Sequence, residues 1–111
     1  MKIASAALPA LPTLAALTAL ALAWPAAWAS PEETMTKAGC MACHSKDRKL
    51  VGPSFKDIAA KYKGQDAADK LFDKVRKGGS GVFGPVPMAP NGADKIDDAK
   101  LKEAIALILK T

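Results

Sequence analysis

Along residues 30–111 the apolar positions recur at helical spacing. Ser30-Pro31-Glu32-Glu33 combines a capping hydroxyl, a proline at the first helical position and a glutamate three residues after the cap. This predicts a helix running from there into the cysteines at 40 and 43. Ser54 can cap a second helix, in which Phe55, Ile58, Ala59 and Tyr62 fall on one face and Gly64 marks the end. Ala68, Leu71, Phe72 and Val75 repeat the spacing after Asp66, until Gly78-Gly79 stops the pattern. Leu101, Ala104, Ile105 and Ile108 form a last stripe, with Asp97 as its cap and Ile96 set against Leu101 as a hydrophobic staple. No segment alternates as a strand does. The pattern therefore predicts an all-α domain of about four short helices. Between the third and fourth helices, residues 78–92 are rich in Gly and Pro and long for a connection in a compact domain, as functional or disordered loops are.

The first 29 residues read differently. Lys2 is followed by an Ala/Leu-rich apolar run from Ile3 to Ala23, and Ala27-Trp28-Ala29 supplies small residues in an Ala-x-Ala arrangement. This is the pattern of a secretory signal peptide, cleaved after Ala29 to leave a periplasmic domain of residues 30–111. The run approaches a bilayer thickness, so a retained anchor is the competing reading. Pro9, Pro12 and Pro25 weaken it, and the absence of Cys near the cleavage point speaks against a lipid anchor. No stable membrane insertion is expected once the leader is removed.

A domain this small cannot bury a large core unaided and needs a staple. Cys40 and Cys43 enclose only two residues, too small a loop for a disulfide to constrain much. The formal charge of the whole chain is +5, and because Lys2 belongs to the leader the mature domain carries +4. Its lysines are spread without aromatic interleaving, which argues against nucleic-acid binding and fits a solvated surface that also steers an acidic protein partner.

The distinctive chemistry is Cys40-Met41-Ala42-Cys43-His44, a CxxCH sequence. Two thiols two residues apart on a helical turn can add to the two vinyl groups of a haem as thioethers, and the adjacent His44 then lies beneath the iron as proximal ligand. A thioredoxin-type CxxC would need a βαβ context, and none is visible. A zinc site would need four ligands, and these three are all that the chain offers. The expected cofactor is one covalent haem c per chain, whose apolar ring would also complete the core.

With no second histidine, the sixth iron position is either open or filled by another donor. Met35 lies about one helical turn before Cys40, and Met41 is inside the motif and too close to cross the ring; both read as packing. Met88 stands in Pro87-Met88-Ala89-Pro90 on the long loop, where stiff prolines could aim a thioether at the iron, as in the His/Met pairing of cytochromes c. A lone loop methionine would otherwise be packing.

Together, Gly39-Cys40-Met41-Ala42-Cys43-His44, Val51-Gly52-Pro53, Asp57-Ile58-Ala59-Ala60-Lys61-Tyr62 and the run from Gly79 to Met88 make residues 30–111 resemble the short bacterial class I cytochromes c. The resemblance implies a monohaem electron carrier, probed by redox proteins as donor and acceptor, monomeric and without enzymatic activity. It further implies that Pro53 offers its carbonyl to His44, that Asn91 approaches the methionine sulfur and that Arg48 lies near a propionate. Phe83 stands where the family usually has a tryptophan, so a ring N–H to a propionate is missing at that cofactor-binding position. Ala89 replaces a common proline, and the last helix lacks a frequent tryptophan. A haem peroxidase or oxidase and a gas sensor are the rival readings, and both need an open or labile iron position.

Overall fold

The computed structural model describes residues 2–12 and 28–111. Residues 13–27, which include the second half of the apolar run assigned to the leader, lie outside the described residues, and with them that reading of the N-terminus. Among the described residues no helix is long and apolar enough to cross a membrane.

Among the described residues four α-helices follow in order: α1 (Pro31–Lys37), α2 (Phe55–Lys61), α3 (Ala68–Lys77) and α4 (Asp98–Leu109), with a single 3₁₀ turn at Cys40–Ala42. The all-α expectation holds. Three of the four starts are side-chain caps of the kind the sequence predicts. Ser30 Oγ accepts from the Glu33 N–H at 3.1 Å, Ser54 Oγ from the Asp57 N–H at 3.1 Å and Asp97 Oδ1 from the Lys100 N–H at 2.9 Å. α3 instead begins at Ala67 without a side-chain cap.

One expectation is corrected. The first helix does not run into the cysteines: it ends at Lys37, capped by Ala38, and Gly39 follows at φ +85°. The chain thus turns before Cys40, and the cysteines sit on a tighter 3₁₀ turn of their own.

α4 is the hub, packing against α1, α2 and α3. The buried apolar residues are Met35 from α1, Phe55 and Ile58 from α2, Tyr62 and Ala67 from the turn after it, and Ile96, Leu101, Ala104 and Ile105 around α4. Ile96 and Leu101 are both 3% exposed, as the predicted staple requires. The stretch between α3 and α4 has almost no regular structure. Its fixed point is a single antiparallel bridge, in which the Gly79 N–H donates to the Met88 carbonyl at 3.0 Å and the Met88 N–H to the Gly79 carbonyl at 2.9 Å.

Candidate functional site

The helices and the loop enclose a cavity of about 480 Å³, within the roughly 300–1,000 Å³ usual for cofactor sites. Its walls are largely apolar. Leu71, Val75, Ile96, Leu101, Ile105 and Ile108 come from the helical side, and Val82, Phe83, Val86 and Met88 from the loop. Cys40, Cys43, His44 and Pro53 line it as well. The segments that the sequence singled out are thus gathered round one space.

His44 follows the 3₁₀ turn, with its N–H donating to the Cys40 carbonyl at 3.0 Å. Its ring is held on three sides. Nδ1 lies 2.7 Å from the Pro53 carbonyl oxygen. A carbonyl can only accept, so Nδ1 is the donor, and in the neutral ring Nε2 is the nitrogen left with a lone pair for a ligand role. Phe55 stacks on the ring at 5.6 Å between centroids with 20° between planes. On the remaining side the backbone of Gly52 comes so close that a Cβ there would lie 2.7 Å from His44 Cε1. The Gly52 N–H in turn donates to the Cys43 carbonyl at 2.8 Å, tying the loop back to the motif.

Neither cysteine is in a disulfide. Cys40 is half-buried and Cys43 exposed. Burial is the main cause that pushes the Cys40 thiol above its ordinary pKa, with the neighbouring Cys43 adding to it and a backbone hydrogen bond opposing. Two thiols on one turn beside an apolar cavity suit a planar apolar ring with two reactive arms.

Met88 is half-buried and lines the same cavity, presented by the bridge to Gly79. Gly78, at φ +68°, makes this approach possible, because a Cβ there would overlap the Met88 carbonyl oxygen. Met35 also reaches the cavity, but from the core, where it is 3% exposed. Met41 is exposed and does not line it. Asn91 lines the cavity, with its side-chain Nδ2 donating to the Ala89 carbonyl at 2.9 Å. Phe83 lines it too and carries the Lys61 ammonium 5.5 Å from its ring centre.

Arg48 is exposed and is not among the lining residues. The cations that do line the cavity are Lys49, Lys74 and Lys95. Lys74 had no distinguishing mark in the sequence. Its position on α3 relative to the loop, with Nζ 3.4 Å from where a Gly79 Cβ would sit, follows from tertiary packing alone.

A helical shell around an apolar cavity, with a CxxCH turn and a pre-oriented imidazole in its wall, defines a protein that holds a haem covalently. The family model for cytochrome c matches residues 32–111, and the chain belongs to that family. It is 51% identical over 84 residues to cytochrome c2 of Rubrivivax gelatinosus, covering 75% of this chain and 99% of that one. It is 47% identical over 79 residues to cytochrome c-552 of Hydrogenobacter thermophilus, covering 70% and 78%. The fold is similar to the crystal structure of Nitrosomonas europaea cytochrome c552, with a TM-score of 0.65 and 44% identity over 71% of this chain and 96% of that one. This is a short bacterial class I cytochrome c binding one covalent haem c, and small cytochromes c of this kind are electron carriers.

Proposed function

We propose that this chain is a periplasmic one-electron shuttle between redox proteins, exported by its first 29 residues and acting as a monomer without catalysis of its own. The observation that carries the reading is the pairing, on one apolar cavity, of an imidazole whose Nδ1 is fixed by Pro53 and a thioether fixed by the Gly79 bridge.

Cys40 and Cys43 would hold the ring through thioethers, and His44 Nε2 and Met88 Sδ would be the two ligands to its iron. When bound, the haem iron supplies a one-electron ferric/ferrous couple. The protein's part is to keep it closed. A neutral, soft thioether favours the reduced state, and the Pro53 hydrogen bond raises the basicity of the imidazole. Lys74, Lys49 and Lys95 are the cations available to the ring's carboxylates, and Phe83 covers it without offering them an N–H. Asn91, held to Ala89, stiffens the approach of Met88. With His44 and Met88 both serving as ligands, the iron would offer peroxidase or gas-sensing chemistry no open site.

The test is the weak near-infrared sulfur-to-iron band of the oxidised protein. Met88→Ala should abolish it, lower the potential and open the reduced protein to carbon monoxide. Met35→Leu and Met41→Leu should leave it in place. Persistence of the band in Met88→Ala, or its loss in Met35→Leu, would remove Met88 from the site.

A further inference from the structure

The stretch that carries Met88 has little to hold it. Besides the Gly79 bridge, its internal hydrogen bonds are a turn from the Gly81 N–H to the Gly84 carbonyl, the Asn91 side chain to the Ala89 carbonyl and a turn at residues 92–96. Two ties hold it to α3: the Asn91 main chain bonded to Val75, and one side chain, Arg76, on the last turn of that helix. Arg76 Nη1 donates to the Asn91 carbonyl at 3.2 Å and to the Ile96 carbonyl at 2.9 Å, while Nη2 donates to Asp98 Oδ1 at 2.6 Å. The guanidinium lies 5.0 Å from the centre of the Phe72 ring, and the side chain is only 17% exposed. Asn91, three residues after Met88, is gripped through both its main-chain polar groups by adjacent residues of α3. Its N–H donates to the Val75 carbonyl at 2.9 Å and its carbonyl accepts from Arg76.

We propose that Arg76 is a positioning residue for Met88: its guanidinium sets how often the loop releases, and so how readily an outside ligand takes the iron's sixth position. The inference rests on the reading of Met88 as axial donor. Its physical basis is geometric. Three acceptors on two segments are met by one planar, multi-donor fork, whereas a lysine ammonium is a point charge with no such fork. Hydrogen bonds from a charged, largely buried group are stronger than neutral ones, and losing them leaves the loop to open locally without unfolding the core. The affinity for an exogenous ligand scales with the fraction of molecules in the open state, so it reads this equilibrium directly.

The experiment titrates ferric holoprotein with imidazole and follows loss of the near-infrared band, with native-state hydrogen exchange measured alongside. Arg76→Met keeps the stem over Phe72 and removes every donor; it should raise the apparent imidazole affinity on the order of tenfold or more. Arg76→Lys should fall between it and the wild type. Leu107→Ala, which thins the core away from the cavity, controls for global stability and should leave the affinity unchanged. The amides of Met88 and Asn91 should exchange faster in Arg76→Met by the same factor as the affinity rises, with the Ile105 amide unchanged. An affinity in Arg76→Met equal to that of the wild type, or an equal rise in Leu107→Ala, overturns the proposal. The Met88→Ala spectrum separately decides the axial reading. If that reading fails, the exchange rates still decide whether Arg76 holds the loop: unchanged Met88 and Asn91 amides would refute it.

Discussion

His44 shows how few residues are needed to turn a flexible side chain into a fixed imidazole. The Pro53 carbonyl selects its tautomer, Phe55 its ring plane, and Gly52 its remaining clearance. These partners are not equally sensitive to mutation. Pro53 contributes a main-chain oxygen, so Pro53→Ala keeps the acceptor and loses only the stiffness of the ring. Gly52→Ala, in contrast, puts a methyl 2.7 Å from His44 Cε1. Overpacking of this kind costs about 1–3 kcal/mol, and here the imidazole must yield because the obstructing atom is fixed to the backbone. Gly52→Ala should lower the urea midpoint of the holoprotein accordingly and shift its reduction potential, while Pro53→Ala should change the potential less. A Gly52→Ala protein with wild-type midpoint and potential would show that the ring has room to spare.

At the scale of elements, the helix caps connect local sequence to the site. Ser54 is 1% exposed, and its hydroxyl starts α2 directly after Pro53, so the cap that begins the helix also positions the acceptor for His44. Ser54→Ala should cost about 1 kcal/mol, read as a lower denaturation midpoint, and Ser54→Asp should recover part of it. At α4, the carboxyl of Asp97 is held below its usual pKa, chiefly by the Lys100 N–H that it caps and then by the Lys100 ammonium. A depressed folded-state pKa means stability that is present above the unfolded value and lost as pH falls through the folded one. Asp97→Asn, which can still cap, should therefore flatten the decline in thermal midpoint below about pH 4; an unaltered acid limb would mean that other carboxylates carry it. The caps at Ser30, Ser54 and Asp97 could be read from sequence because each needs only four consecutive residues. The same is true of CxxCH, whose chemistry lies in its spacing. What could not be read depends on residues far apart in the chain. The break at Gly39 falls between good helix formers, Lys37 and Ala38 before it and Met41 and Ala42 after it. The Gly79–Met88 pairing and the Arg76 grip on Asn91, Ile96 and Asp98 exist only once α3 and α4 have docked. For the same reason Arg48, four residues past the motif, stays at the surface, and Lys74, twenty-six residues further on, lines the cavity.

For the molecule as a whole, the helices form a small core that opens onto the cavity. Met35, Ile96, Leu101 and Ile105 are 2–3% exposed, and all four also line the cavity. Val51, Val82, Phe83 and Val86 are all more than a third exposed around the loop and the motif. Without a ring, the apolar side chains lining the cavity would face water, and apolar surface left exposed forfeits about 25 cal/mol per Å², against a whole folding free energy of roughly 5–15 kcal/mol for a typical domain. The cofactor is therefore part of the fold's stability, and the short reach of α1 to α3 suffices only because a rigid apolar ring gives each of them something to pack against. Cys40→Ala combined with Cys43→Ala, purified free of haem, should keep some helical signal but lose the sharp thermal transition and the near-ultraviolet circular dichroism of fixed side chains. The wild type should melt cooperatively and show the mass of the chain from Ser30 plus one haem. A haem-free double variant that still unfolded in one sharp transition with fixed aromatic signals would mean that α4 and its three neighbours pack to completion on their own. The exposed valines and the cavity would then need a different explanation.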